Sequence, residues 1–173
     1  MTLIKQDLDS WLDQVDYKDL IQGNYIPSEF ALTFMNFIKL VNGSQGESHT
    51  TPPVHLKMLD KVVSGNPYVA NLCFRGAGKT ALFMEYFVLF LATFGCLPMF
   101  GQVTGMIYVS DSMDNGVKSA RKNIEFRYNN SEFLQEWVPK ATFTDNYLEF
   151  TGKEGHMLGC KMFGAKTGLR GTK

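Results

Sequence analysis

Apolar residues along this chain recur at helical spacing in its first part, run together in its middle and alternate near its end. In the first twenty-odd residues Asp7, Asp9, Asp13, Asp16 and Asp19 are interleaved with Leu8, Trp11, Leu12, Val15 and Leu20, the pattern of a helix with a solvated acidic face. After Pro27, Ser28 is placed to cap a helix whose Phe30, Phe34, Phe37, Ile38 and Val41 form one stripe, ended by Asn42-Gly43. Residues 42–53 are polar and rich in turn formers, so the boundary between an N-terminal helical lead-in (1–50) and the main unit (51–173) is placed there. Val54 to Val63 reads as a short helix. Gly65-Asn66-Pro67 then returns the chain to a β-prone run, Tyr68 to Cys73.

Ala81 to Phe94 lacks Gly and Pro and is apolar on every side, which predicts a helix packed deep in an α/β domain. It is too short for a membrane span, which needs about 20 residues, and it carries Glu85. Gly95 and Pro98 stop it. Thr104 to Ser110 reads as a buried strand and Val117 to Tyr128 as an amphipathic helix. Ala141–Thr144, Tyr147–Thr151 and His156–Phe163, separated by turn residues, predict an antiparallel meander, and the closing residues 164–173 are basic and loop-like.

Composition narrows the class. A chain of 173 residues with 45% hydrophobic content can bury a core, so general disorder is excluded. Seventeen basic and seventeen acidic residues balance, so any contact with nucleic acid must be local. The most basic element is the Val117–Tyr128 helix, through Lys118, Arg121, Lys122 and Arg127; it is either a solvated face or a contact to phosphate backbone. Three cysteines, Cys73, Cys96 and Cys160, show no paired spacing, which together with the lack of a secretory leader fits a reducing, cytoplasmic setting.

The candidate chemistry lies between the predicted strand at 68–73 and the apolar helix. Cys73-Phe74-Arg75-Gly76-Ala77-Gly78-Lys79-Thr80 departs from the phosphate-loop pattern G-x-x-x-x-G-K-[ST] only in having cysteine for the first glycine. In such a loop glycines let backbone N–H groups turn toward phosphate oxygens. The lysine reaches the β and γ phosphates, the threonine hydroxyl ligates Mg²⁺, and the following helix adds its positive N-terminal end. Gly76, Ala77, Gly78, Lys79 and Thr80 are therefore candidate ATP-binding residues, with Lys79 as a candidate catalytic group and Thr80 as the candidate Mg²⁺ ligand. The alternative is a surface glycine turn. A second Gly-Lys, Gly152-Lys153, precedes Glu154 between strand-like runs and reads as a hairpin turn. Asp111, at the end of a strand, is either an Mg²⁺-binding acid or a cap in the loop 111–116, the latter favoured by the helix that follows. Pro53 and His55 precede the loop strand, where they either support an adenine or act structurally.

An Arg-x-x-Gly-Lys-Thr loop without the first glycine resembles the ATPase domain of the large terminase subunit of tailed bacteriophages. There the arginine of this loop is associated with the ATP γ-phosphate, and Arg75, Gly78, Lys79 and Thr80 match it, so the resemblance implies Arg75 as a further candidate ATP-binding and catalytic residue. Ile107–Ser112 with the helix after it looks like that family's second strand and helix. The 146–163 hairpin and Gly168–Gly171 look like the segment leading to its acidic strand. The resemblance implies a partial P-loop NTPase fold: a mainly parallel α/β sheet flanked by helices, with a β-meander near the C-terminus, ending before the acidic Walker B strand. It implies an ATP-hydrolysing DNA-packaging motor using ATP and Mg²⁺, in the host cytoplasm, with no membrane partner. Duplex DNA, a small terminase subunit, a portal protein and a homo-oligomeric ring are the implied partners, the DNA mainly through regions outside these residues. A chain holding these parts without the acidic strand is expected to bind nucleotide and to turn over little or none. The Gly-Lys-Thr ending also resembles the first motif of superfamily 2-like DNA/RNA helicases. A small-acceptor kinase and a non-enzymatic nucleotide-binding assembly module are the remaining readings.

Overall fold

A computed structural model gives the structure of the protein and describes residues 25–43 and 52–165. The acidic leading helix, most of the polar linker and the basic closing residues fall outside the described residues.

Helix α1 (Glu29–Asn42) starts where Ser28 leaves the extended region and its Oγ accepts from the Ala31 N–H at 3.2 Å, and it ends at Gly43, whose N–H returns to the Lys39 carbonyl. Helix α2 (Pro53–Val62) opens on proline, the residue whose missing N–H costs least at a first turn. Asp60 of α2 binds the entry to α1: its Oδ1 accepts from Ser28 N at 3.0 Å and Ser28 Oγ at 2.6 Å, and its Oδ2 from the Tyr25 hydroxyl. Burial and that bond raise the Tyr25 pKa well above its ordinary value.

The helix expected at 81–94 forms in two parts, a π-helical stretch Ala81–Tyr86 continuing into α3 (Phe87–Phe94). It packs against α1 through an aromatic seam. Phe34 lies 5.1 Å from Phe90 and 5.8 Å from Phe87, and Phe37 lies 5.4 Å from Phe90 and 5.9 Å from Phe94, centroid to centroid. Such pairs add about 0.5–1.5 kcal/mol each beyond the area they bury. Gly95 takes the left-handed conformation that ends α3, and a two-stranded ribbon follows, β1 (Cys96–Leu97) with β2 (Gly101–Gln102).

The main sheet is mixed and has the order β3 (Gly105–Ser110), β6 (Met157–Gly164), β5 (Tyr147–Thr151), β4 (Lys140–Phe143). Only β3 and β6 run parallel; β4·β5 and β5·β6 are antiparallel. The meander forms as expected, but a mainly parallel sheet does not. The links from β4 to β5 and from β5 to β6 are short turns, and a parallel pair needs a crossover of a dozen residues or more. Leu148, Phe150, Leu158, Cys160 and Met162 point to the helical side and are fully buried, whereas Ile107 and Val109 of β3 stand exposed on the other face. Burial pushes the Cys160 thiol up to about 12.

Between β3 and β4 the chain forms a π-helical stretch Met113–Val117, capped by Ser112 through Asn115 N, then α4 (Lys118–Asn129) and α5 (Glu132–Trp137). Glycine at 116 lets this turn close against the end of β3, because a Cβ there would lie 2.6 Å from Ser110 Cβ.

The strand expected over Tyr68–Cys73 does not form: these residues have no ladder partner among the described residues, and Tyr68 and Leu72 are 86% and 99% exposed. An apolar cleft of about 360 Å³, lined by Val69 on one side and by Phe87, Leu91, Val103 and Met106 on the others, lies between this segment and β3. Ladder neighbours must come within about 4.8 Å, so β propensity alone leaves the segment unpaired. Among the described residues no helix is long and apolar enough to cross a membrane.

Candidate functional site

The loop expected to bind phosphate begins at the end of that unpaired segment. Ala77 N donates to Phe74 O at 3.4 Å, closing a turn over Arg75 and Gly76. Gly76 has φ +92° and Gly78 φ +69°, conformations that side-chain-bearing residues rarely adopt. Helical hydrogen bonding starts at once, with Lys79 and Thr80 in the first turn and Leu82 N donating to Gly78 O at 3.0 Å. Two left-handed glycines thus deliver the chain directly to a helix N-terminus, which is the backbone arrangement of an anion site.

Of the six candidate residues, Ala77 is buried under the loop and Arg75, Gly76, Gly78, Lys79 and Thr80 are exposed. Among the described residues neither Arg75 nor Lys79 has a carboxylate partner. A position for a Cβ on Gly76 has nothing within 4 Å, so this part of the loop is open to a ligand. Phosphate oxygens fit the donor set: N–H groups at a helix start that donate to no backbone oxygen outside the helix among the described residues, two cations and a hydroxyl.

Asp111 is engaged locally. Its Oδ1 accepts from Ser112 N at 2.8 Å and from Ser110 Oγ at 3.0 Å, bonds that shape the turn after β3. Among the described residues no three His, Cys, Asp or Glu side chains come together as a metal site. His55 faces the loop: its Nε2 lies 2.6 Å from the Ala77 carbonyl oxygen.

Behind the loop, Glu85 is buried on the π-helical stretch. Its Oε1 accepts from Asn123 Nδ2 at 2.9 Å and its Oε2 from Arg127 Nε at 2.8 Å. The Arg127 guanidinium covers the Tyr86 ring at 4.1 Å and donates to its hydroxyl, which in turn donates to Asn42 Oδ1 at 2.9 Å. The helix after the loop is thereby fastened to α1 and α4. The other α4 cations are also occupied in part. Lys118 pairs with Asp114 at 2.6 Å and Arg121 with Glu125 at 2.8 Å. The Lys118 hydrogen bond, with its charge behind it, holds the Asp114 carboxyl below its ordinary pKa, and the same bond raises that of Lys118. Lys122 alone of the four has no ion pair among the described residues. The sequence offered no signal for the Glu85–Arg127 pair, whose members lie far apart in the chain, whereas the other two pairs stand four residues apart at helical spacing.

No family model matches this chain, and no curated protein or solved structure matches it either.

Proposed function

We propose that this chain binds Mg-ATP at the loop 75–80 and serves as the nucleotide-binding part of an ATP-driven DNA-packaging motor of the terminase large-subunit kind. One observation carries the nucleotide reading. Arg75 and Lys79 flank two left-handed glycines at the start of a helix, without carboxylate partners among the described residues. Cations at a helix N-terminus oppose the macrodipole, and an anion seated between them reverses that penalty. The step from nucleotide binding to a packaging motor rests on Arg75, Gly78, Lys79 and Thr80 matching the terminase loop. Duplex DNA, a small subunit, a portal protein and a ring of copies are the partners that this reading implies.

In this reading the N–H groups of 76–80, apart from that of Ala77, which donates to Phe74 O, would hold the α and β phosphates, Lys79 and Arg75 would offset charge on the γ-phosphate, and the Thr80 hydroxyl would contribute to the Mg²⁺ shell. Bound Mg-ATP supplies the transferable phosphoryl group. The chain's own contribution is to position it and to stabilise charge as the bond to the leaving oxygen lengthens.

Calorimetric titration with Mg-ATP tests the site. Lys79→Ala is expected to weaken binding at least tenfold and to leave the apo melting temperature unchanged, because Lys79 is exposed and its side chain makes no ion pair among the described residues. Equal affinity in wild type and variant would sink the reading. A second reading, a nucleotide-binding module completed by another polypeptide, draws on the exposed Tyr68, Leu72 and Phe74 just ahead of the loop. Nucleotide binding without phosphate release in any assembled state would favour it.

A further inference from the structure

His55 stands in the first turn of α2 with its ring against the loop. Its Nε2 lies 2.6 Å from the Ala77 carbonyl oxygen, and a Cβ on Gly78 would come within 3.2 Å of both Cε1 and Nε2 of the same ring. A carbonyl oxygen only accepts, so Nε2 carries a proton and donates. The peptide joining Ala77 to Gly78 is planar and trans, so its C=O and its N–H point in opposite directions. Fixing the Ala77 oxygen on α2 therefore fixes the Gly78 N–H facing away from α2, one residue before Lys79.

The plane of that peptide turns about Ala77 ψ and Gly78 φ; Gly78 sits at φ +69°, and Gly76, the residue before Ala77, at φ +92°. Glycine on its C-terminal side gives this plane a freedom to turn about φ that a residue with a Cβ would not allow. Two backbone bonds limit the loop from within, Ala77 N to Phe74 O and Leu82 N to Gly78 O. Neither uses the Ala77 oxygen or the Gly78 N–H. The donor that does meet the Ala77 oxygen comes from outside the loop, from the His55 ring.

We propose that His55 is a positioning residue of the phosphate loop: by donating from Nε2 to the Ala77 carbonyl it holds the Gly78 N–H in the direction in which that group donates to a bound phosphate oxygen. The inference rests on the nucleotide reading above and gives His55 a role toward the loop backbone, where the sequence offered it to an adenine or to structure. It also accounts for glycine at 78 twice over, through the left-handed φ and through the closeness of the ring.

Three variants of the full chain separate the hydrogen bond from the ring's bulk. His55→Ala removes both, His55→Phe keeps bulk without the donor, and His55→Gln restores an N–H at similar reach. Titration with Mg-ATP is expected to show affinity about tenfold weaker for His55→Ala and His55→Phe and within about threefold of wild type for His55→Gln, the size of effect of one hydrogen bond. The Gly78 amide resonance of the nucleotide-free protein should shift in the first two variants and stay near its wild-type position in the third. Wild-type affinity in His55→Phe, or a loss in His55→Gln as large as in His55→Ala, overturns the proposal. Binding that Lys79→Ala abolishes and His55→Ala leaves untouched removes this inference alone. Absence of Mg-ATP binding by the wild-type chain removes the nucleotide reading and this inference with it.

Discussion

The aromatic seam between α1 and α3 and the loop segment from Gly65 to Thr80 lie next to each other in the chain's architecture yet differ in nearly every physical respect. In the seam Phe34 and Phe37 are at most 1% exposed and each meets several rings of the opposing helix. In the segment Tyr68, Leu72 and Phe74 are exposed, the backbone has no ladder partner, and the cations Arg75 and Lys79 have no carboxylate partners among the described residues. Satisfied contacts fix the first region. The second is held near its loop end, by α2 through His55 and by the π-helical stretch through the Glu85 network, and leaves its two cations to a ligand. Stability and recognition are thus carried by different residues, and substitutions should separate them.

The largest expected effect is on the seam. Phe34→Ala deletes a fully buried ring from the middle of the aromatic cluster and is expected to cost about 3–5 kcal/mol of unfolding free energy. Chemical denaturation of wild type and variant measures it. A loss below about 1 kcal/mol would mean that α1 is not part of the cooperative core, and the comparison would fail on its stable side.

That seam was readable in advance, because a stripe of phenylalanines at helical spacing and an apolar helix without breakers need only local periodicity to be recognised. The meander was readable for the same reason, its turns being short and its strands alternating. What could not be read was anything that depends on a neighbour distant in sequence. Tyr68–Cys73 has the composition of a strand, but a strand exists only beside another, and a cleft lies where the partner would stand. Arg127 belongs to the basic helix by spacing, yet it turns inward because Glu85 is buried opposite it. At the candidate site the loop residues were legible from their order, whereas the bond from His55 to Ala77 spans twenty-two positions and leaves no trace in either segment.

A smaller effect sharpens the recognition side. Arg75 is exposed inside the loop, so Arg75→Ala should change apo stability by less than about 0.5 kcal/mol. The ATP-induced rise in melting temperature should shrink, corresponding to an affinity loss of about fivefold to tenfold, the worth of a charge-assisted contact at an exposed site. The measurement is a thermal shift across a range of Mg-ATP concentrations. An apo protein that melts much earlier would show that Arg75 supports the fold, and the division between the two regions would blur at that residue.

The smallest expected effect concerns α4, which lies between the two regimes: part of its charge faces the core and part faces water. Of its four cations, Arg127 is committed to buried Glu85, while Lys118 and Arg121 already neutralise Asp114 and Glu125. Lys122 is therefore the one charge on this helix that can meet a phosphate without first giving up a partner among the described residues. The salt dependence of binding reports how many cations displace counterions, at about 0.9 in logarithmic slope for each phosphate neutralised. If α4 touches duplex DNA at all, one such contact predicts an affinity that falls only about threefold to fourfold between 50 and 200 mM salt. Lys122→Ala should remove that dependence without altering stability. Fluorescence anisotropy with a labelled duplex measures both. A slope several times steeper would require Lys118 and Arg121 to leave their carboxylates for DNA, and α4 would then belong with the loop, as a surface held ready for a ligand, and not with the core.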